Sequence, residues 1–239
     1  MSGHSHFKTV KATKDANDAK RGKIFSKLAR VITIAVKEKG PDIIINSQLR
    51  SAIEKAKEFN MPKENIERAI KKGTGELAGE NLEEVSFEAF GPGGIALIIE
   101  GITDNKNRTI SDVKTILSKF GSKMAGGGAV RWMFERRGFI KLNYEGKSKE
   151  GLELLAIEAG AQDIKKQDST LEIYTKPEEL EKIKKLLEDR QLKVESASLE
   201  WIAKEEVTID DKEKETAQKL FDALDENDAI QDIYSNLKY

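Results

Sequence analysis

Cysteine is absent from the 239 residues, which excludes disulfides, thiol nucleophiles and thiolate metal sites. Histidine is almost as scarce. The two present, His4 and His6, stand at the amino end, and no His/Cys cluster has metal-ligand spacing. No apolar run approaches the ~20 residues of a membrane span. The start, Met1-Ser2-Gly3-His4-Ser5-His6, lacks the apolar core of a secretory leader. No P-loop occurs. Carboxylates are plentiful, but nothing singles out a pair for acid–base work. With its amine freed, Ser2-Gly3-His4 would chelate Cu(II) or Ni(II) in a square plane, a property read here as incidental. The expectation is a cytoplasmic protein with no catalytic residue, cofactor or metal, and no membrane contact.

What the chain does have is charge, unevenly placed. The first 75 residues hold 17 Lys/Arg against 8 Asp/Glu, a net of +9, while residues 76–239 hold 24 against 34, a net of −10. The formal total of −1 hides two oppositely charged bodies. A basic end on an acidic body is the footprint of a protein that offers one part to a polyanion, most often nucleic acid. The competing reading is a solvated helical face rich in lysine.

The basic part reads as all helical. Ile24, Phe25, Leu28, Val31, Ile32, Ala35 and Val36 recur at helical spacing over 15–39, and Gly40-Pro41 stops the run. Asn46 is placed to cap a second helix carrying Leu49, Ile53 and Ala56. Pro62 suits the first turn of a third, with Ile66, Ala69 and Ile70 inward and Gly73 as its C-cap. The pattern then changes to strands at 85–90 and 95–102 around Gly91-Pro92-Gly93-Gly94, a helix over 109–120, and a strand over 129–134. Residues 138–200 follow the order strand, helix, strand, strand, helix, strand, that of a ferredoxin-like sandwich. The tail adds 207–209, a helix over 212–224 and a strand near 229–234. The expected fold is α+β: a three-helix domain, 1–79, then two α/β sandwiches. The middle one is discontinuous, 80–134 plus 203–239, with the ferredoxin-like domain, 135–202, inserted in it.

At about 100° per residue, Lys20, Lys23, Lys27 and Arg30 share an arc of about 80° on the first helix, clear of the apolar side, over about 15 Å. Arg21 lies beside them, and Lys8, Lys11 and Lys14 extend the basic surface into the preceding arm. Such cations displace counterions from phosphates without regard to base sequence. Phe7 offers a ring to stack on a base or to pin the arm to the core. A second candidate is a phosphate site at Lys106, Asn107, Arg108 and Thr109, where Thr109 with Asp112 resembles a capping box and exposed amides stand beside two cations. The competing reading there is an ordinary capped turn. The glycines 126–128 are read as a loose connector sooner than a ligand cradle. The inserted domain shares its strand order with RNA-recognition modules. However, Lys141 and Asn143 follow on the face of Phe139, and 138–200 carries 11 basic and 14 acidic residues, which fits protein contact better.

Several long motifs carry a resemblance. They are Gly3-His4-Ser5, Asp18-Ala19-Lys20-Arg21-Gly22-Lys23-Ile24-Phe25-Ser26-Lys27, Asn60-Met61-Pro62-Lys63-Glu64-Asn65-Ile66-Glu67-Arg68-Ala69-Ile70-Lys71, Gly91-Pro92-Gly93-Gly94, Thr103-Asp104-Asn105-Lys106-Asn107-Arg108-Thr109 and Met133-Phe134-Glu135-Arg136. Together these resemble the YebC/PmpR family over nearly the whole chain. The family usually has Lys-Trp where this chain has His6-Phe7, and Tyr-Glu-Gly-Tyr where it has Phe87-Glu88-Ala89-Phe90. The resemblance implies three domains and a DNA-binding transcriptional regulator. The mitochondrial relative implies an alternative, a translational activator placing the same surface on ribosomal or messenger RNA. In either case the acidic domains would face transcription or ribosomal proteins. A scaffold holding an acidic protein partner is the third reading.

Overall fold

Asn46 shows how the first helices are joined. In the computed structural model, which describes residues 18–143, 149–167 and 170–238, its side chain is fully buried. The amide donates to the carbonyls of Ala35 and Gly40, at 2.7 and 2.8 Å, and the oxygen accepts from the Leu49 amide at 3.0 Å. One residue thereby ties off the end of α1 (Asp18–Lys39) and caps α2 (Ser47–Glu58). Gly40, at φ +79°, supplies the left-handed turn between them. A third helix, α3 (Lys63–Thr74), starts with Pro62 at its N-cap and ends at Gly75, at φ +80°. Gly73 is therefore not the cap. It lies inside α3, where an added Cβ would stand 2.6 Å from Val36 Cβ and 2.7 Å from the Thr33 carbonyl. The bare Cα lets α3 close on α1, and the Thr33 hydroxyl donates to the Ala69 carbonyl across the contact. Leu28, Ile32, Ala35, Val36, Leu49, Ala56, Ile66 and Ala69 form the core of this bundle.

The first sheet is antiparallel throughout, in the order β3-β1-β2-β8. Its strands are β1 (Glu83–Phe90), β2 (Ala96–Thr103), β3 (Lys123–Met124) and β8 (Ile230–Ser235). Val85, Phe87 and Ala89 alternate onto one face with Leu97 and Ile99. They pack there against α4 (Lys106–Lys119) and α7 (Asp211–Asp225) through Val113, Leu117, Leu220, Phe221 and Leu224. The expected strand over 129–134 is absent. Residues 131–133 form a 3₁₀ turn, and the strand instead begins at Phe134. The cause is Glu88, whose carboxylate takes the amides of Gly128, Val130 and Arg131 that a ladder would need.

The second sheet, β5-β6-β4-β7, is also antiparallel throughout. It comprises β4 (Phe134–Asn143), β5 (Asp163–Gln167), β6 (Thr170–Thr175) and β7 (Val194–Ala203), with α5 (Lys149–Ala159) and α6 (Leu180–Asp189) in the connections. This is the ferredoxin-like strand order. Ile140, Leu142, Leu171 and Ile173 meet Leu152, Ala156, Ile183 and Leu187 in its core. Phe139 is buried with Tyr174 and Ile202, so it offers no open aromatic face. The chain forms two compact units. Unit one is Met1–Met133 with Glu205–Tyr239, and unit two is Phe134–Lys204. The molecule is α+β.

Candidate nucleic-acid interface

Lys23, Lys27 and Arg30 do share one row of α1, but each is engaged by other parts of the same unit, with Lys27 buried and Lys23 and Arg30 partly exposed. Lys27 is 3% exposed, and its Nζ donates to Asp225 Oδ1 at 2.8 Å and to the Asp225 carbonyl at 2.6 Å. Lys23 forms an ion pair with Glu226, which holds its ammonium above the ordinary lysine range. Arg30 Nη1 donates to the carbonyls of Ile102 and Asp228, at 3.1 and 3.3 Å. The row continues past the point where the sequence reading stopped. Ile34 packs on Leu82 and Ile102, and Lys37 Nζ donates to Asn81 Oδ1 and the Leu82 carbonyl. Spacings of four, three, four and three residues keep all five on one side of the helix.

The physical reason lies at the end of α7. The last carbonyls of a helix have no intrahelical donors and carry partial negative charge. Here they are joined by the carboxylates of Asp225 and Glu226, and the cations of α1 satisfy both. Within the described residues, then, the expected outward stripe is a docking face, and the expectation for Lys23, Lys27 and Arg30 is corrected. Lys8, Lys11 and Lys14 lie outside the described residues, as does the side chain of Lys20. Arg21 is exposed, with its guanidinium 5.8 Å from the centre of the Phe25 ring.

Other cations of the bundle are exposed. Arg68, Lys71 and Lys72 stand at i, i+3 and i+4 on α3, on the side away from buried Ile66 and Ala69. None of the described ion pairs engages them. The signal, Arg-x-x-Lys-Lys on a helix with apolar residues elsewhere, is present in the sequence, and Arg68 and Lys71 lie within the Asn60–Lys71 motif.

The second candidate is brought together in part. The N-cap of α4 is Asn105, whose Oδ1 accepts from the Arg108 amide at 3.0 Å. Thr109 is no cap. It is buried, with its hydroxyl donating to Thr103 Oγ1 at 2.8 Å, which draws it inward and removes it from any phosphate site. Lys106 and Asn107 are exposed, and Arg108 is exposed but paired with Asp104 at 2.6 Å.

The loop at 125–133 is tied down, not loose. The Glu88 carboxylate is 5% exposed and accepts from the amides of Gly128, Val130 and Arg131 at 2.7–3.0 Å, with the Arg131 Nε 3.7 Å away. Burial alone would push this carboxyl up. The three amides and the Arg131 charge outweigh it, leaving the group below the usual glutamate range. Sequence reading did not single out Glu88, because its partners lie 40–43 residues on. Among the described residues, no cluster of His, Asp or Glu is placed to hold a metal ion, and no helix is long and apolar enough to cross a membrane.

Comparison with known proteins extends this picture. Residues 5–76 match the family described as "TACO1/YebC protein N-terminal domain", and residues 82–237 match "TACO1/YebC second and third domain". A "Probable transcriptional regulatory protein" of Syntrophus aciditrophicus is 44% identical over 237 residues, covering 99% of this chain and 95% of its own. A protein of the same description from Halothermothrix orenii is 46% identical over 241 residues, covering 99% and 94%. The crystal structure of a conserved hypothetical protein from Aquifex aeolicus superposes with a TM-score of 0.86. It is 43% identical and covers 96% of this chain and 95% of its own.

Proposed function

Because the chain belongs to the TACO1/YebC family, whose bacterial relatives are named as transcriptional regulators, we propose that it regulates transcription by binding DNA through its helical domain, 1–79. It acts by binding, not by catalysis. The observation that carries this reading is the charge division, +9 over the first 75 residues against −10 over the rest. The cations assigned to phosphates are Lys8, Lys11, Lys14, Lys20 and Arg21, with Arg68, Lys71 and Lys72 available on α3. Lys23, Lys27 and Arg30 are reassigned to holding the helical bundle on the middle domain, 80–134 plus 203–239. The inserted domain, 135–202, carries net negative charge and faces protein partners. Lys106, Asn107 and Arg108 form a secondary phosphate contact at the start of α4, without Thr109.

Five phosphate contacts on duplex DNA give a slope of about −4.5 for log affinity against log salt. Replacing Lys8, Lys11, Lys14, Lys20 and Arg21 with Glu should abolish retention of DNA while leaving the thermal transition of the protein in place. Unchanged retention, or a flat salt response, refutes the assignment. Sedimentation of the native protein with ribosomal subunits after DNase treatment would move the same surface from DNA to ribosomal RNA.

A further inference from the structure

The loop joining α1 to α2 carries Ile43, Ile44 and Ile45, exposed by 49%, 85% and 78%. The last two are the most exposed large apolar side chains among the described residues. Turns favour Gly, Pro, Asn, Asp and Ser, so nothing in the local backbone calls for three isoleucines in a row. Yet the loop is firmly built. The Ile44 amide donates to Asp42 Oδ1 at 2.8 Å, and the Asn46 amide to the Asp42 carbonyl at 2.8 Å. Arg50 Nη1 donates to the carbonyls of Ile43 and Ile44, at 3.0 and 3.3 Å. Buried Asn46 anchors the far end on Ala35, Gly40 and Leu49. Several polar groups of the loop are thus satisfied internally, which leaves a fixed apolar knuckle in solvent.

Covering the knuckle would remove apolar area from water, but three side chains supply well under the ~800 Å² that each member of a stable pair of copies contributes. A partner of the knuckle must therefore be held by something else as well. The knuckle belongs to the stretch of net charge +9, so a polyanion is the partner that the rest of the stretch attracts. Residues 37–50 hold Lys37, Lys39 and Arg50 against Glu38 and Asp42, so no acidic surplus keeps a polyanion away. Lys39 is exposed and at most about 14 Å of chain from Ile43. Isoleucine has no ring to lay on a free base. It is among the side chains that enter a minor groove as wedges, part a base step and kink the duplex. We propose that Ile44 and Ile45 are such a wedge for double-stranded DNA, a role that rests on the helical domain being the part that binds it. The phosphate contacts hold the duplex, and the knuckle bends it.

The test adds the full chain to a DNA duplex of about twenty base pairs, labelled at its two ends with donor and acceptor dyes and carrying a central TA step, which parts readily. A kink of about 20–90° brings the ends together, so energy transfer should rise as the native chain saturates the duplex. Ile44→Ser with Ile45→Ser should abolish that rise and weaken duplex affinity roughly 10-fold, the burial of two isoleucines less the unstacking of one step. The slope of log affinity against log salt should stay the same, because the phosphate contacts are unchanged. Ile44→Leu with Ile45→Leu should restore the rise. Both positions are exposed, so both variants should melt with the native protein. Duplex binding without a rise in transfer, equal in the serine variant, overturns the wedge and leaves the helical-domain reading standing. Failure of the native chain to bind the duplex overturns both. Sedimentation velocity without DNA covers the rival occupant: a dimer of the native chain that the serine variant cannot form would overturn the wedge and give the knuckle to a second copy.

Discussion

The seat of Lys27 on α7 lends itself to a quantitative test. Replacing Asp225 with Ala removes a carboxylate from a lysine whose side chain is 3% exposed, while the Asp225 carbonyl stays in place. Taking one member from a buried pair costs about 3–5 kcal/mol. The Asp225 side chain is 27% exposed, so water can reach the vacated position, and the remaining carbonyl keeps part of the bond. The expected loss is about 2 kcal/mol, which for a chain of this length lowers the melting temperature by roughly 4–8 °C. Glu226→Gln is the control. Its pair with Lys23 is exposed on both sides, 42% and 62%, and such pairs contribute about 0–1 kcal/mol. Lys27→Met removes the buried charge itself. Combined with Asp225→Ala, it should recover about 1 kcal/mol or more relative to the sum of the single changes. The assay is differential scanning calorimetry at low and moderate salt. Equal, small effects of Asp225→Ala and Glu226→Gln would refute the reasoning, since they would mean that Lys27 is as well hydrated as Lys23.

Two further outcomes follow from contacts within the same unit. Gly73→Ala gains about 1 kcal/mol in helix propensity. The new Cβ would meet Val36 Cβ and the Thr33 carbonyl below 3 Å, so a net loss of about 1–2 kcal/mol is expected by denaturant titration, and a gain would show that the helices have room to part. Glu88 has a depressed folded value. The stability it supplies is therefore fully present above the unfolded glutamate range, near 4.5, and is lost as pH falls through the lower folded value. Glu88→Gln should cost about 2 kcal/mol at pH 7 and progressively less as the native protein is acidified. A difference that stays constant down to the acid transition would argue against an ionised Glu88.

Much of the architecture was legible because its causes are local. The seven apolar positions of α1, the capping role of Asn46, the β6 span and the βαββαβ order all follow from periodicities and side-chain chemistry within a few residues. The site was less legible, for the complementary reason. Lys27 meets Asp225 across 198 residues and Lys23 meets Glu226 across 203, and nothing in a helical wheel distinguishes a cation facing water from one facing another helix's end. The same applies to Gly73, which looks like a terminator when only its own helix is considered and like a packing residue once α1 lies across it. Strand-like residues at 129–134 were overruled by one distant carboxylate. Charge composition shows where the cations concentrate along the chain, and only geometry separates those that dock from those left to solvent.

The long separation between Lys27 and its seat has a consequence for biosynthesis. With translation proceeding at roughly 5–20 residues per second, the acidic turn leaves the ribosome some 10–40 s after the lysine that will occupy it. Through that interval the nascent amino-terminal bundle lacks the carboxylates that Lys23 and Lys27 meet in the folded chain. The edge of β2 that β8 will cover stands open for much of the same time. Vectorial synthesis thus leaves the native assembly to a late closure, in which the newest segment neutralises the oldest helix.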